Sequence, residues 1–395
     1  MERVPLRTSF AALAVTGLLA AALTACGSGD DSTAASTSTT SAAGATSAAS
    51  DGALAKACGD NITVQLQWQP QSDMGALFEL LGSGYTFDAK QKSVTGELVS
   101  HGTDTGVTLT LRAGGDAVGF QPVPSVMYLD KSIDFGLVHT DVMIASSGDQ
   151  PVVGVTPLLT HSPAMLMWDP ATQGKDFDLT KLADTDDVVV VSADQAFPAW
   201  LEAKGFVKKS QIDTSYDGSP SRFVSDPSIV EQGFANSEPW TFEHETPSWN
   251  KPIGYELLKD LGYDQYASNL TVRKDRLEEL APCLKQFVPM VQQAGVDYIT
   301  DPQPTNKVIT DVVASDSTFS PYTMGEANYS AKLLKDKGLV ENEGGTFGGY
   351  DEKRLDSFVS EVAPMVRDQG SNVPAGLTAD DLFTDRFVDP SVKIQ

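Results

Sequence analysis

Histidine and cysteine are scarce: the 395 residues hold four His and three Cys. That leaves little material for a zinc site or a disulfide-dense scaffold. Positive charge is short as well, 28 Lys+Arg against 53 Asp+Glu, for a formal net charge of −25. A phosphate-backbone binder needs a basic patch, so nucleic acid is excluded as a partner. The chain has no H-E-x-x-H, no G-x-S-x-G and no G-x-x-x-x-G-K-[ST], which disfavours an enzyme. His101, His139, His161 and His244 are scattered, so no metal and no cofactor is expected. What is present, 41% hydrophobic and 21% charged residues, suffices to bury a core. The length points to about two or three domain-sized lobes.

The N-terminus reads as an address. Arg3 and Arg7 precede an apolar or small run from Phe10 to Leu23, about 14 residues against the ~20 needed to span a bilayer. It ends in Leu23-Thr24-Ala25-Cys26, which resembles a bacterial lipobox; the alternative is an ordinary signal peptide with a chance Cys. On the lipobox reading, residues 1–25 are removed and Cys26 carries the lipid (palmitate among its acyl chains). Ser, Thr, Ala, Gly and Asp then dominate to about Lys56, too polar to offset ordering entropy. The expectation is a lipidated tether over 26–57 and a folded body on the extracytoplasmic face of a cell membrane. Cys58 and Cys283 remain in an oxidising compartment and read as one disulfide or as two free thiols. A bond would contribute about 4–5 kcal/mol through loop closure.

The folded body alternates strand and helix patterns. Strands are predicted at 62–68, 106–111, 134–138, 152–155, 188–191, 233–236 and from 269, with an apolar segment at 165–168. Helices are predicted at 74–81, 123–130, 196–205, 225–232 and 253–263, then through the last third at 276–296, 306–313, 329–337 and 352–367. Thr140 or Asp141 is placed to N-cap a helix. The pattern argues for α/β with a mostly parallel sheet: one lobe from 58–160 and 266–395, and a second inserted at 161–265. Ligands in open α/β sheets bind beyond the carboxyl ends of strands. The loops at 69–73, 114–116, 139–141, 217–222 and 236–240 should therefore face one cleft.

Candidate ligand-binding residues in those loops are Trp68, Asp73, Gly114, Gly115, His139, Thr140, Asp141, Ser219, Asn236, Glu238 and Trp240. An aromatic ring with carboxylates suits a nitrogen-rich heterocycle, which stacks and donates N–H bonds. Each also has a plain structural alternative: Trp68 as core, Glu238 as a helix-entry charge, Asp141 as a cap, the glycine pair as a tight turn.

Several segments carry a family resemblance: Val64-Gln65-Leu66-Gln67-Trp68-Gln69-Pro70, Gly114-Gly115, Ile133 to Val138, Gln232 to Pro239, and Leu377 to Pro390. Their order and spacing resemble the solute receptors of nitrate/sulfonate/taurine-type ABC transporters, nearest the branch that binds thiamine-pyrimidine precursors and riboflavin. The resemblance implies a class II periplasmic-binding-protein-like fold: two lobes, a ligand cleft and a hinge. It also implies a ligand-facing role for Trp68 and Glu238, a monomer capturing a small-molecule solute, and an ABC permease as partner. The chain departs from the family in its first helix (Met74-Gly75-Ala76-Leu77-Phe78), in Asp73, and in what looks like extra loop at 88–105. A related pyrimidine synthase needs a Cys-rich motif absent from this sequence, so that activity is not carried over. Within the class, acidic, Lys-poor loops favour a neutral or cationic heterocycle, with a nitrate- or sulfonate-like anion as the alternative.

Overall fold

The computed structural model describes residues 52–395 except 193 and 194. The leader, Cys26 and the polar stretch to residue 51 lie outside the described residues.

The strands in chain order are β1 (Asn61–Gln65), β2 (Thr86–Asp88), β3 (Ser93–Ser100), β4 (Thr103–Arg112), β5 (Phe135–Val138), β6 (Val152–Leu159), β7 (Ala164–Trp168), β8 (Val189–Val190), β9 (Ile212–Asp213), β10 (Val230–Phe234), β11 (Gly254–Leu257) and β12 (Ala267–Arg273), with a small hairpin β13 (Asn342–Glu343) and β14 (Thr346–Phe347). The helices are α1 (Ala53–Cys58), α2 (Gly75–Glu79), α3 (Val123–Leu129), α4 (Thr140–Ser146), α5 (Phe197–Ala203), α6 (Ser221–Ser225), α7 (Glu238–Trp240), α8 (Leu277–Thr300), α9 (Gln303–Ala314), α10 (Met324–Asp336) and α11 (Glu352–Asp368).

Two sheets result, ordered β2-β3-β4-β1-β5-β12-β6 and β11-β7-β10-β8-β9. The chain leaves the first between Leu159 and Ala164 and returns between Leu257 and Ala267. The molecule is thus two-lobed. The crossing segments touch each other, the Ser162 N–H donating to the Gln265 carbonyl at 3.1 Å.

The long helix α8 lays Leu280, Leu284, Phe287, Val288 and Val291 on the first sheet. Phe287 stacks on Phe135 with centroids 5.4 Å apart. Burying each such side chain contributes about 1.5–3 kcal/mol. Cys58 and Cys283 form a disulfide between α1 and α8. Ala53–Cys58 is a helix, so residues 53–57 of the expected 26–57 tether are ordered against the first lobe.

Four expectations are corrected. Residues 88–105 are not loop: β3 and β4 form an antiparallel hairpin that places Val94, Leu98, Val107 and Leu109 in the core. The polar residues of β3 hide its pattern, and the turn uses positive φ at His101 (50°) and Gly102 (70°), the geometry that tight hairpins require. The helix expected at 225–232 stops at Ser225; Asp226 Oδ1 accepts from the Ser228 N–H at 3.2 Å, an Asx turn that feeds β10. At 253–263 the chain forms β11 and a turn, because Gly254–Leu257 pair antiparallel with Trp168–Met165. Tertiary pairing overrides an apolar pattern too short to hold a helix. Finally, the first sheet is mixed: β1 runs parallel to β4 and β5, but β12 is antiparallel to β5 and β6.

Candidate functional site

The ends of β1 and β5 and the start of β12 bring polar side chains together on the first lobe. Gln67 Nε2 donates to Asp73 Oδ2 at 3.0 Å and to Ser268 Oγ at 2.9 Å. The Ser268 N–H donates to His139 Nδ1 at 3.1 Å. Ser268 adopts φ 50° inside a strand, a conformation that costs on the order of 1–3 kcal/mol in a non-glycine residue. The β12–β6 ladder shifts register just beyond it, between Leu270 and Thr271. Burial pushes the Asp73 carboxyl up to about 6, since nothing positive offsets desolvation.

The second lobe contributes a cluster around β10. Glu231 and Gly233 share one face of this strand, and a Cβ at Gly233 would lie 3.3 Å from the Glu238 carboxyl carbon. Glu238 Oε2 accepts from the Phe234 N–H at 2.8 Å, and Tyr216 OH donates to Oε1 at 3.4 Å. Burial raises Glu238 to about 7. Burial and the neighbouring Glu238 charge raise Glu231 to about 8, with Arg222 pulling it partly down.

Helix α10 joins the two halves. Glu326 Oε1 accepts from Ser237 Oγ at 2.5 Å, and burial with the Glu245 and Glu238 charges raises it to about 8. Asn236 Nδ2 donates to Ser330 Oγ at 3.3 Å. Ser330 in turn hydrogen-bonds Tyr322, whose hydroxyl accepts from the Ser72 N–H at 3.1 Å. A polar seam therefore runs from Ser72, next to Asp73, on one lobe to Asn236 and Ser237, next to Glu238, on the other.

Four buried oxygens on this seam are reached by no protein donor: Gln67 Oε1, Asp73 Oδ1, Glu231 Oε2 and Asn236 Oδ1. All four are acceptors, and each such atom costs about 1–3 kcal/mol when left unpaired. Trp168, Trp200 and Trp249 also carry unpartnered indole N–H groups, but these lie in the apolar clusters.

The remaining expected residues are distributed as follows. Trp68 is 38% exposed, tilts against Phe120 with centroids 5.8 Å apart, and lies 3.9 Å from where a Cβ on Gly218 would stand, across the mouth of the seam. Gly114 and Gly115 make room for this arrangement: a Cβ on Gly114 would sit 2.2 Å from the Leu66 carbonyl, and one on Gly115 (φ +58°) 2.7 Å from the Trp68 ring. Ser219 is half-buried, its hydroxyl donating to Ser221 Oγ at 2.9 Å.

Thr140 and Asp141 begin α4, with His139 rather than either of them at the cap position and no side-chain cap bond. Their groups meet the returning crossing segment instead. Thr140 Oγ1 donates to the Tyr266 carbonyl at 3.0 Å. Asp141 Oδ2 accepts from Tyr263 OH at 3.0 Å, and its N–H donates to Gln265 Oε1 at 3.0 Å. Asp141 is pushed up by burial. Trp240 packs on α10: its ring stacks on His244 at 3.9 Å, and its Nε1 donates to Glu245 Oε1 at 2.8 Å.

The sequence reading missed Gln67, Tyr216, Glu231, Ser268 and Glu326. Only Glu231 carried a usable signal, a lone acid inside the apolar strand Val230-Glu231-Gln232-Gly233-Phe234.

No protein-family model matches the chain, and no curated protein matches it. Among solved structures, a Bordetella bronchiseptica RB50 protein superposes with a TM-score of 0.51 at 11% identity, over 83% of this chain and 95% of that one. The periplasmic nitrate-binding protein NrtA from Synechocystis PCC 6803 gives 0.49 at 11% identity, over 83% and 87%. The aliphatic sulphonate binding protein SsuA from Escherichia coli gives 0.49 at 11%, over 82% and 91%. The first is a likeness of fold; the other two fall below a TM-score of 0.5 and carry no argument. With two sheets, two crossings and a polar seam between them, the chain has the α/β, class II periplasmic-binding-protein-like fold.

Proposed function

We propose that the chain is the solute-binding receptor of an ABC importer, not an enzyme, and that it captures a small nitrogen heterocycle of pyrimidine or flavin type. The observation that carries this reading is the set of four buried, unpartnered acceptor oxygens on the seam, contributed by both lobes. A solute rich in N–H donors satisfies them and bridges the lobes. Trp68 and Phe120 offer it an aromatic wall.

On this proposal the lobes are 58–160 with 266–395, and 161–265. They rotate about the two crossings, and the solute shifts the open–closed equilibrium by its higher affinity for the closed form. The lipobox-like Leu23-Thr24-Ala25-Cys26 segment supports a mature protein lipidated at Cys26. It would be monomeric, held at the outer face of the cell membrane and delivering solute to a permease. The thiamine-pyrimidine and riboflavin branch remains part of the proposal on the strength of the sequence segments quoted above. Titration of intrinsic tryptophan fluorescence with a pyrimidine, riboflavin, nitrate and an alkylsulfonate tests it. Saturable quenching or enhancement with a heterocycle is expected. Saturation by nitrate or sulfonate alone would replace the heterocycle with the anion, and no response to any solute would remove the receptor reading.

A further inference from the structure

The seam's acids are more than a source of acceptor oxygens. Glu231, Glu238 and Glu326 come from β10, α7 and α10, and both Glu231 and Glu326 feel the charge of Glu238. Among the described residues none of the three makes an ion pair with Lys or Arg. The nearby base, Arg222, is committed elsewhere: its Nη2 donates to Asp213 Oδ2 at 2.6 Å and its Nη1 to Ser215 Oγ. Backbone and hydroxyl donors reach Glu238 and Glu326, but no positive group neutralises them.

Two further side chains point to what completes the cluster. Glu231 is 1% exposed and Asn236 4%, and each holds a buried acceptor oxygen that no protein donor reaches. Among the described residues no three His, Cys, Asp or Glu side chains are placed to hold a metal ion together. The acids are near enough to repel one another yet too far apart to share a point charge. The complement is an extended molecule whose positive charge is spread over several N–H groups.

We infer that the site takes an organic cation, of amidinium, guanidinium or protonated aminopyrimidine type, whose N–H groups engage Glu231, Glu238 and Glu326 across the lobes. This rests on the receptor reading above and narrows it by charge. A neutral heterocycle would satisfy the orphaned acceptors but give the three glutamates no opposite charge. An anion would be repelled by them. Burial raises all three carboxyls, and a bound cation would favour their ionised form, so that its uptake would displace protons.

Isothermal titration of the full-length chain in detergent with charge-matched pairs tests the inference. Benzamidine is compared with benzamide, and thiamine with its neutral hydroxymethyl-pyrimidine fragment; riboflavin, taurine and nitrate complete the panel. The cation of each pair is expected to bind about 100-fold tighter than its neutral partner, about tenfold for each charge-assisted bond. Glu231→Gln and Glu238→Gln should each remove about tenfold of that preference, with circular-dichroism melts showing that both variants fold. Equal affinity within the pairs, or binding of riboflavin, taurine or nitrate alone, would overturn the cation while leaving the receptor intact. Absence of binding by every member at millimolar concentration would overturn both.

Discussion

Replacing Glu231 by Gln should make the protein more stable at alkaline pH, an unusual outcome for a change in a buried site. Its carboxyl is 1% exposed and raised from 4.5 to about 8, first by burial and then by Glu238. The folded chain therefore keeps this proton after the unfolded chain has released it. Below the unfolded value both states are protonated and the group contributes nothing to the pH dependence. As pH rises from 4.5 to 8, stability falls by about 1.36 kcal/mol per pH unit, about 4–5 kcal/mol in total. Relaxation and water entry reduce such penalties; halved, the effect is still about 2 kcal/mol, several degrees in melting temperature. Glutamine is neutral throughout and near-isosteric, so the variant loses the slope. Urea unfolding at about pH 5 and about pH 8 measures it, the difference between variant and parent widening toward the higher pH. Glu238→Gln should show the same trend, and the double variant should gain less than the sum, because the Glu238 charge is part of what raises Glu231. Parallel stability–pH curves for parent and Glu231→Gln would refute the reasoning.

Reduction of the Cys58–Cys283 bond, or its replacement by paired serines, should cost about 2–5 kcal/mol and lower the thermal midpoint, read by calorimetry. Tyr263→Phe leaves Asp141 Oδ2 without its donor at the crossing and should destabilise by about 1–3 kcal/mol in denaturant titration. Gly115→Ala sets a Cβ 2.7 Å from the Trp68 ring at positive φ; it should shift the Trp68 emission and weaken solute binding about tenfold or more.

The outline of the fold was legible because its longest elements carry their pattern locally. The apolar stripe of α8 and the alternation of β4 can be read from a dozen residues each. What failed depended on pairing rather than on local pattern. β11 is a strand because β7, far earlier in the chain, lies beside it, and β3 because it folds back on β4 in a hairpin. At the site, Trp68, Asp73, Asn236 and Glu238 drew attention because they fall in loops expected, from strand order, to face one cleft. Asp141 drew attention for its position at a strand end, and the structure uses it to hold Tyr263 and Gln265. Glu326 and Ser268 were invisible from sequence. The first is one acid among many on a polar helix, and the second matters only through a left-handed backbone that no local residue pattern announces.

The central claim is that a small solute sits between the lobes on the seam of orphaned acceptors. Mass spectrometry under native conditions, on protein purified from its own host without added ligand, addresses it most directly. The account predicts one stoichiometric small molecule rich in N–H groups, released on denaturation and absent from the Glu231→Gln/Glu238→Gln variant. A stoichiometric anion, or a solute retained undiminished by that variant, would contradict it.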